Sequence, residues 1–519
     1  MILNRRRLMQ TTAAALTVGA SVAKTSFAQT PKSASDLPFA SANEALAALQ
    51  NKSVSSRELT ELCFNRIDQT QDSVNALAIL RREEALAEAI RVDEARANGE
   101  TLGALAGLPI TLKESFDVAG LQTTWGSPDA PRTPLTEHSA VAARLIAADG
   151  IILGKTNVSL MLADWDGNNP VYGQTLNPWN LDRVAGGSSA GAAAALSAGL
   201  SFLDVGSDLG GSIRQPAANC GIYGHKPTAG IVSQRGHVPS IAPPFMRAVM
   251  AEIDSLTEMP RAGPMTRSAD DLVTALNVIG GPDGAASKAL SYRVPQARHK
   301  ALKDFKVGFA MAHPDGPLDT GSADVLDSLI QSLDGKVASL KQGWPDGVDP
   351  RRQRDLRHYF RATISTMMSM PDVIAEREAV GFEDGPSWET GSYDGAFNQG
   401  FADRRAAFVR METERLALRA AWQHYFSEFD VFLMPVQTKT ARVPGGLTTE
   451  DALETHLWAA AATLTGLPAT AAPAGIAAVG LPVGLQILGP YYEDATPIWF
   501  AKALADAGIG GYQRPPFTV

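Results

Sequence analysis

The sequence predicts an α/β fold: a β-sheet covered by helices on both faces, with a mainly helical insertion in the middle of the chain. Three observations carry this. Short apolar runs alternate with helical patterns through the first half of the chain. Residues 239–430 are more charged, more helical and proline-punctuated. Apolar strand-like runs then return near the C-terminus, so the last part of the chain is expected to rejoin the first sheet. Alternation of this kind marks a sheet sandwiched between helices.

Taken in order, Ser41–Asn98 reads as mostly helix. Ser55-Ser56-Arg57-Glu58 offers a capping box for a helix that turns Leu59, Leu62 and Ile67 inward. A short strand is expected at Asn75–Leu80, and a charged amphipathic helix over Arg82–Asn98. Leu108–Leu112 reads as a buried strand ending at Lys113, Ser139–Asp149 as helix, and Ile151–Gly154 as strand. Ala190–Gly199 is a small-residue helix able to pack closely, and Phe202–Gly206 another strand. Within the insertion, Ala323–Ser332 and Asp403–Phe426 read as helices. Val431–Pro435 and Leu481–Leu488 are the returning strands.

Composition bounds the function. The 519 residues are 45% apolar and 19% charged, and 46 glycines with 32 prolines imply many tight turns in a globular chain. A net charge of −9 with no basic block in the body argues against nucleic acid as a partner. Residues 1–28 stand apart. Arg5-Arg6-Arg7 precedes a weakly apolar Ala/Thr stretch, and Ser26-Phe27-Ala28 supplies a small-x-small cleavage pattern. This is the layout of a signal peptide of the twin-arginine type, and it predicts export to the periplasm without stable membrane insertion after cleavage. Its removal takes away four positive charges and leaves a mature chain, 29–519, at −13. Cys63 and Cys220 are expected as two buried thiols. With no HExxH, CxxC or spaced His pair, neither a metal nor another cofactor is expected.

The chemistry concentrates in Gly186–Pro227, where Gly186-Gly187-Ser188-Ser189 and Gly210-Gly211-Ser212 flank a run of small residues. Glycines around a hydroxyl let successive N–H groups converge on an anion. Leu209–Ser212 follows an apolar strand and could form such a nest for a tetrahedral oxyanion. A nucleophilic serine needs a base. None of the eight histidines recommends itself over the others, and a buried lysine can serve because desolvation disfavours its charged form. Lys113, closing the apolar run Leu108–Leu112, suits that role. Gly187-Ser188-Ser189-Ala190-Gly191 also matches the G-x-S-x-G elbow of other hydrolases, yet residues 177–185 before it read as loop rather than strand. No phosphate-binding G-x-x-x-x-G-K-[ST] is present.

This stretch resembles the Ser/Gly-rich signature of the amidase signature family of serine hydrolases. Gly107-Leu-Pro-Ile-Thr-Leu-Lys-Glu114 is similar to the family's lysine motif. Gly154–Asn157, Gly173–Trp179, Gly224–Thr228, Thr465–Ala469 and Gly480–Gly489 match further segments in order. The resemblance spans about Ser41–Gly280 and Asp430 to the end. It implies a single large domain with a central mixed β-sheet, and residues 239–430 as a variable region on the substrate side. It implies Ser212 as nucleophile, Ser188 as bridging serine after a cis peptide bond with Gly187, and Lys113 as base. The N–H groups of Leu209, Gly210, Gly211 and Ser212 would form the oxyanion hole. Ala190, Ala192 and Glu114 depart from the commoner residues at their positions without removing a catalytic group. Asp208 and Arg214 are expected to fix the loop as an ion pair. Leu162 and Trp165 are candidate substrate-pocket walls, and the Met-rich Thr363–Met370 is ordinary helix core or a soft acyl-binding wall. The implied reaction is hydrolysis of a carboxylic amide to an acid and ammonia or an amine. The partner is a small-molecule or peptide amide and the enzyme a monomer or homodimer. An esterase or aryl acylamidase with the same triad, a glutaminase-type component of an amidotransferase, and a non-catalytic binding protein are the competing readings.

Overall fold

The computed structural model describes residues 36–239, 241–242, 259–368, 405–445 and 449–517. The expected leader at 1–28 therefore lies outside the described residues. So do the side chains of the Met-rich segment from Thr363 onward.

Thirteen strands are described: β1 (Leu77–Leu80), β2 (Pro109–Lys113), β3 (Ile151–Thr156), β4 (Leu176–Asn177), β5 (Asn180–Val184), β6 (Leu203–Asp208), β7 (Tyr223–Lys226), β8 (Arg261–Thr266), β9 (Lys306–Phe309), β10 (Ser339–Gln342), β11 (Val431–Pro435), β12 (Ala469–Ile476) and β13 (Pro482–Leu488). Eleven of them form one mixed sheet in the order β1-β3-β2-β6-β8-β7-β12-β13-β11-β9-β10. β2 runs parallel to both β3 and β6, whereas β8 is antiparallel to β6 and β7. Every residue of β2, β3 and β6 is buried, so both faces of this part of the sheet are covered. That is the fold class the sequence predicts, in a single large domain.

The helices follow from local sequence. Ser55 accepts from the Glu58 N–H while Glu58 reaches back to the Ser55 N–H, which closes the expected capping box at the start of Ser56–Val74. An identical box, Ser41 with Glu44, starts Ala42–Gln50. The helix Ala190–Ser197 is buried at all its positions. A β-carbon on Gly191 would lie 2.2 Å from both Ala76 O and Asn157 N, so this helix rides directly on backbone and only small residues fit. One apolar core packs such helices against β2, β3 and β6. A second joins β9 and β11–β13 to the helices Thr320–Leu333 and Ala495–Asp506.

Two expectations need correction. The middle of the chain is more than helical decoration: alongside its helices it supplies β8, β9 and β10 to the central sheet, with β8 between β6 and β7. And residues 177–185 are not loop. β4 and β5 form a small antiparallel hairpin apart from the main sheet. β5 is only partly buried, so it is not the buried central strand that a hydrolase elbow follows. The two cysteines are both buried and free, as expected.

Candidate active site

Two neighbouring strands, the loop after the second and the turn before a helix assemble the site. β2 ends on Lys113, β6 ends on Ser207-Asp208, and the loop after β6 carries Leu209–Ser212. Ser188 lies in the turn before the helix Ala190–Ser197, and its peptide bond with Gly187 is cis.

Lys113 has no solvent exposure. Its Nζ donates to Ser188 Oγ at 2.8 Å and to Ser207 Oγ at 3.0 Å. Burial pushes the Lys113 ammonium down to about 7, against the opposing pull of Asp208 and Asp204. An amine with that affinity can exchange a proton near neutrality. Ser188 is 1% exposed and Ser212 7%, and Ser189 N–H donates to Ser212 O at 3.2 Å, so the two serine-bearing loops are joined through backbone. The hydroxyls of Ser188 and Ser212 are not hydrogen-bonded to one another in this structure. The Gly187 N–H is held by Gln215 Oε1 at 3.0 Å.

The nest differs in one respect from expectation. Gly211 N–H donates to Asp208 Oδ1 at 2.9 Å, and Ile213 N–H to Asp208 Oδ2 at 3.2 Å. A carboxylate directly behind the loop therefore holds the Gly211 amide. Leu209, Gly210 and Ser212 remain as amides with no hydrogen bond to a described residue. Asp208 itself is buried. Burial would raise its carboxyl, but the Arg214 guanidinium and the loop amides outweigh this and hold it well below the usual carboxylate range. Arg214 Nε and Nη2 bind the two carboxylate oxygens at 2.9 and 2.8 Å, and Nη2 also reaches Thr463 Oγ1. This buried pair fixes the loop, as the sequence suggested.

Trp165 is buried, and its Nε1–H donates to Gly210 O at 3.2 Å. Leu162 is half-buried at the end of the turn Leu160–Leu162, where its N–H donates to Ser159 O. Of the two expected pocket walls, then, Trp165 is the one that bonds to the loop Leu209–Ser212 among the described residues. Sequence reasoning missed Ser207, the second hydroxyl on Lys113; its only signal was its place immediately before Asp208. It also missed Arg357, 2% exposed, whose Nη2 stands 3.5 Å from Leu209 O. Glu114, following the lysine, accepts from Thr124 N–H and Trp125 N–H and so anchors the next turn. Among the described residues, no group of three or more His, Cys, Asp or Glu side chains could hold a metal ion.

Comparison with known proteins gives consistent findings. The profile of the amidase family matches residues 58–497. A curated relative, the glutamyl-tRNA(Gln) amidotransferase A subunit of Synechococcus sp. (strain CC9605), is 33% identical over 491 residues, covering 90% of this chain and 96% of that protein. A solved structure from work on a vestigial complex and the origins of an s-triazine catabolic enzyme superposes with a TM-score of 0.76 at 26% identity, covering 91% of this chain and all of the other. Another, described as an amidase, gives 0.70 at 28% identity, again over 91% and 100% of the two chains.

Proposed function

The chain belongs to the amidase family of amide-hydrolysing enzymes, and on that premise we propose that it cleaves a carboxylic amide through an acyl-enzyme on Ser212. Ser188 and Lys113 serve as the proton relay. The observation that carries this reading is the fully buried Lys113 Nζ, 2.8 Å from Ser188 Oγ. Neutral Lys113 takes the Ser188 proton while Ser188 Oγ takes that of Ser212. Ser212 Oγ attacks the carbonyl carbon, and the oxyanion faces the amides of Leu209, Gly210 and Ser212. The proton returns through Ser188 to the leaving nitrogen, the C–N bond breaks, and ammonia or an amine departs. Water then attacks the ester by the same relay and releases the acid. Electrostatic stabilisation of this kind is usually the largest single contribution to acyl transfer. The region 239–430 is the substrate side in this reading, and from it Arg357 Nη2 reaches Leu209 O at 3.5 Å.

The working place of the enzyme is the periplasm in this proposal, supported by the leader pattern at residues 1–28. A second reading is favoured by the similarity to amidotransferase A subunits: Ser212 would release ammonia from glutamine for a partner. The deciding experiment treats purified protein with a fluorophosphonate and assays aryl, peptide and fatty acyl amides together with glutamine. The proposal expects label on Ser212, loss of that label in Ser212→Ala, and amide turnover without a partner chain. Turnover of glutamine alone supports the second reading. No label and no turnover of any amide would falsify both.

A further inference from the structure

The peptide between Gly210 and Gly211 is gripped at both ends. Its carbonyl accepts from Trp165 Nε1 at 3.2 Å, and its N–H donates to Asp208 Oδ1 at 2.9 Å. A peptide unit is planar, so fixing its carbonyl and its N–H fixes the orientation of the whole plane. The amides on either side, Gly210 and Ser212, make no hydrogen bond to a described residue. Each belongs to the adjoining peptide, one glycine's φ and ψ away from the plane that is held, so that plane is the fixed reference from which both amides are turned.

Trp165 is itself held firmly. It is 4% exposed, and its ring meets His456 edge-on with centroids 4.7 Å apart. A β-carbon built on Gly210 would lie 3.5 Å from Trp165 Cζ2, so the indole stands against this backbone. The other end of the same residue touches the other serine loop: a β-carbon on Gly187 would lie 2.9 Å from Trp165 Cα. One residue thus abuts the peptide before Ser188 with its backbone and the peptide two residues before Ser212 with its indole.

We infer that Trp165 is a positioning residue for acyl transfer: its indole N–H holds the Gly210 carbonyl so that the Gly210 and Ser212 amides converge on the developing oxyanion. This rests on the reading of Ser212 as nucleophile. It departs from a pocket-wall role, because a wall needs only the ring and its shape, whereas this role needs the N–H. An interaction that orients oxyanion donors acts on the transition state rather than on bound substrate, so its loss lowers kcat and leaves KM in place.

The test compares Trp165→Phe, which keeps a ring and removes the donor, with Trp165→His, which restores a ring N–H. The expected result for Trp165→Phe is a fall in kcat of about tenfold or more, with KM changed less than about twofold. The affinity of a trifluoromethyl ketone analogue should fall by the same factor as kcat. A non-reactive ketone-free analogue of the same shape should bind unchanged, and Trp165→His should recover part of the loss. Unchanged kcat in Trp165→Phe, or equal weakening of both analogues, overturns the inference. Should Trp165→Phe fail to fold, Trp165→Gln and Trp165→Leu decide it: equal kcat in a donor and a non-donor variant also overturns it. Fluorophosphonate labelling of the wild-type Ser212 separates this from failure of the hydrolase reading, which would abolish label in the wild type as well.

Discussion

Replacing Lys113 with methionine keeps most of the apolar stem and removes the amine, and the structure sets what this should do. Free lysine, with a pKa of about 10.4, is neutral in about one molecule in 2,500 at pH 7. Buried Lys113, lowered to about 7, is neutral in about half. Burial thus raises the supply of neutral base by about a thousandfold. If that amine drives the relay, kcat/KM of the wild type rises with pH through an apparent pKa near 7 and is flat above it. Lys113→Met should lose about 10²–10⁴-fold, the range for removal of a general base.

Stability supplies an independent arm. The unfolded chain keeps the lysine proton to about pH 10.4, whereas the folded one releases it near 7, so between these values the unfolded state binds more protons. Raising pH through this window therefore favours the fold, and below pH 7 the contribution is constant. The difference in unfolding free energy, wild type minus Lys113→Met, should grow by about 3–4 kcal/mol from pH 7 to 10 in urea titrations. A pH-independent rate from 5 to 9, with a stability difference that does not move, would refute the argument. Activity of Lys113→Met within tenfold of wild type would refute the relay.

Two further perturbations probe the frame around the site. Asp208→Asn leaves the Arg214 guanidinium, 1% exposed, without its carboxylate; a loss of about 3–5 kcal/mol is expected in chemical denaturation. Activity should fall as well, because the loop Leu209–Ser212, which carries the proposed nucleophile, loses its anchor. A midpoint within about 1 kcal/mol of wild type would show that the pair does not hold the loop. Gly154→Ala places a β-carbon 2.1 Å from Ile79 O, where β1 pairs with β3. About 1–3 kcal/mol of destabilisation is expected, with faster amide exchange confined to Leu77–Leu80. Unchanged exchange there would mean that the strand gives way at no cost.

Much of this architecture is legible in the chain because of what buried parallel strands require. β2 and β3 are covered on both faces, so Pro109–Lys113 and Ile151–Thr156 begin as continuous apolar runs that need no partner to recognise. β8 shows the opposite case. Arg261-Ala-Gly-Pro-Met-Thr266 contains a charge, a glycine and a proline, yet it lies in the middle of the sheet, with Pro264 opposite Val205. Proline cannot donate to a ladder, and no local pattern announces such a strand. The site divides in the same way. Clustered glycines and serines mark Ser188 and Ser212 in sequence. Ser207 emerges only once β2 and β6 are neighbours, because its role depends on a register that a single sequence does not carry. The direction of the Gly211 amide, toward Asp208 rather than outward, is likewise a property of loop geometry.

The placement of β8 also bears on how the molecule is made. β6 and β7 are close in sequence but meet only through a strand that begins at Arg261, and β7 gains its other neighbour only at β12, from Ala469 onward. A growing polypeptide that has passed Ser212 but not Thr266 holds β6 with one side unpaired. Long-range pairings of this sort are slow to form, and an unpaired strand edge invites pairing with other chains. Both neighbours of β6 are thus in place once Thr266 is made, whereas the sheet beyond β7 is closed only with β12, after about nine-tenths of the 519 residues. Truncation before β12 leaves Ser188 and Ser212 in place, and no finished sheet to hold them.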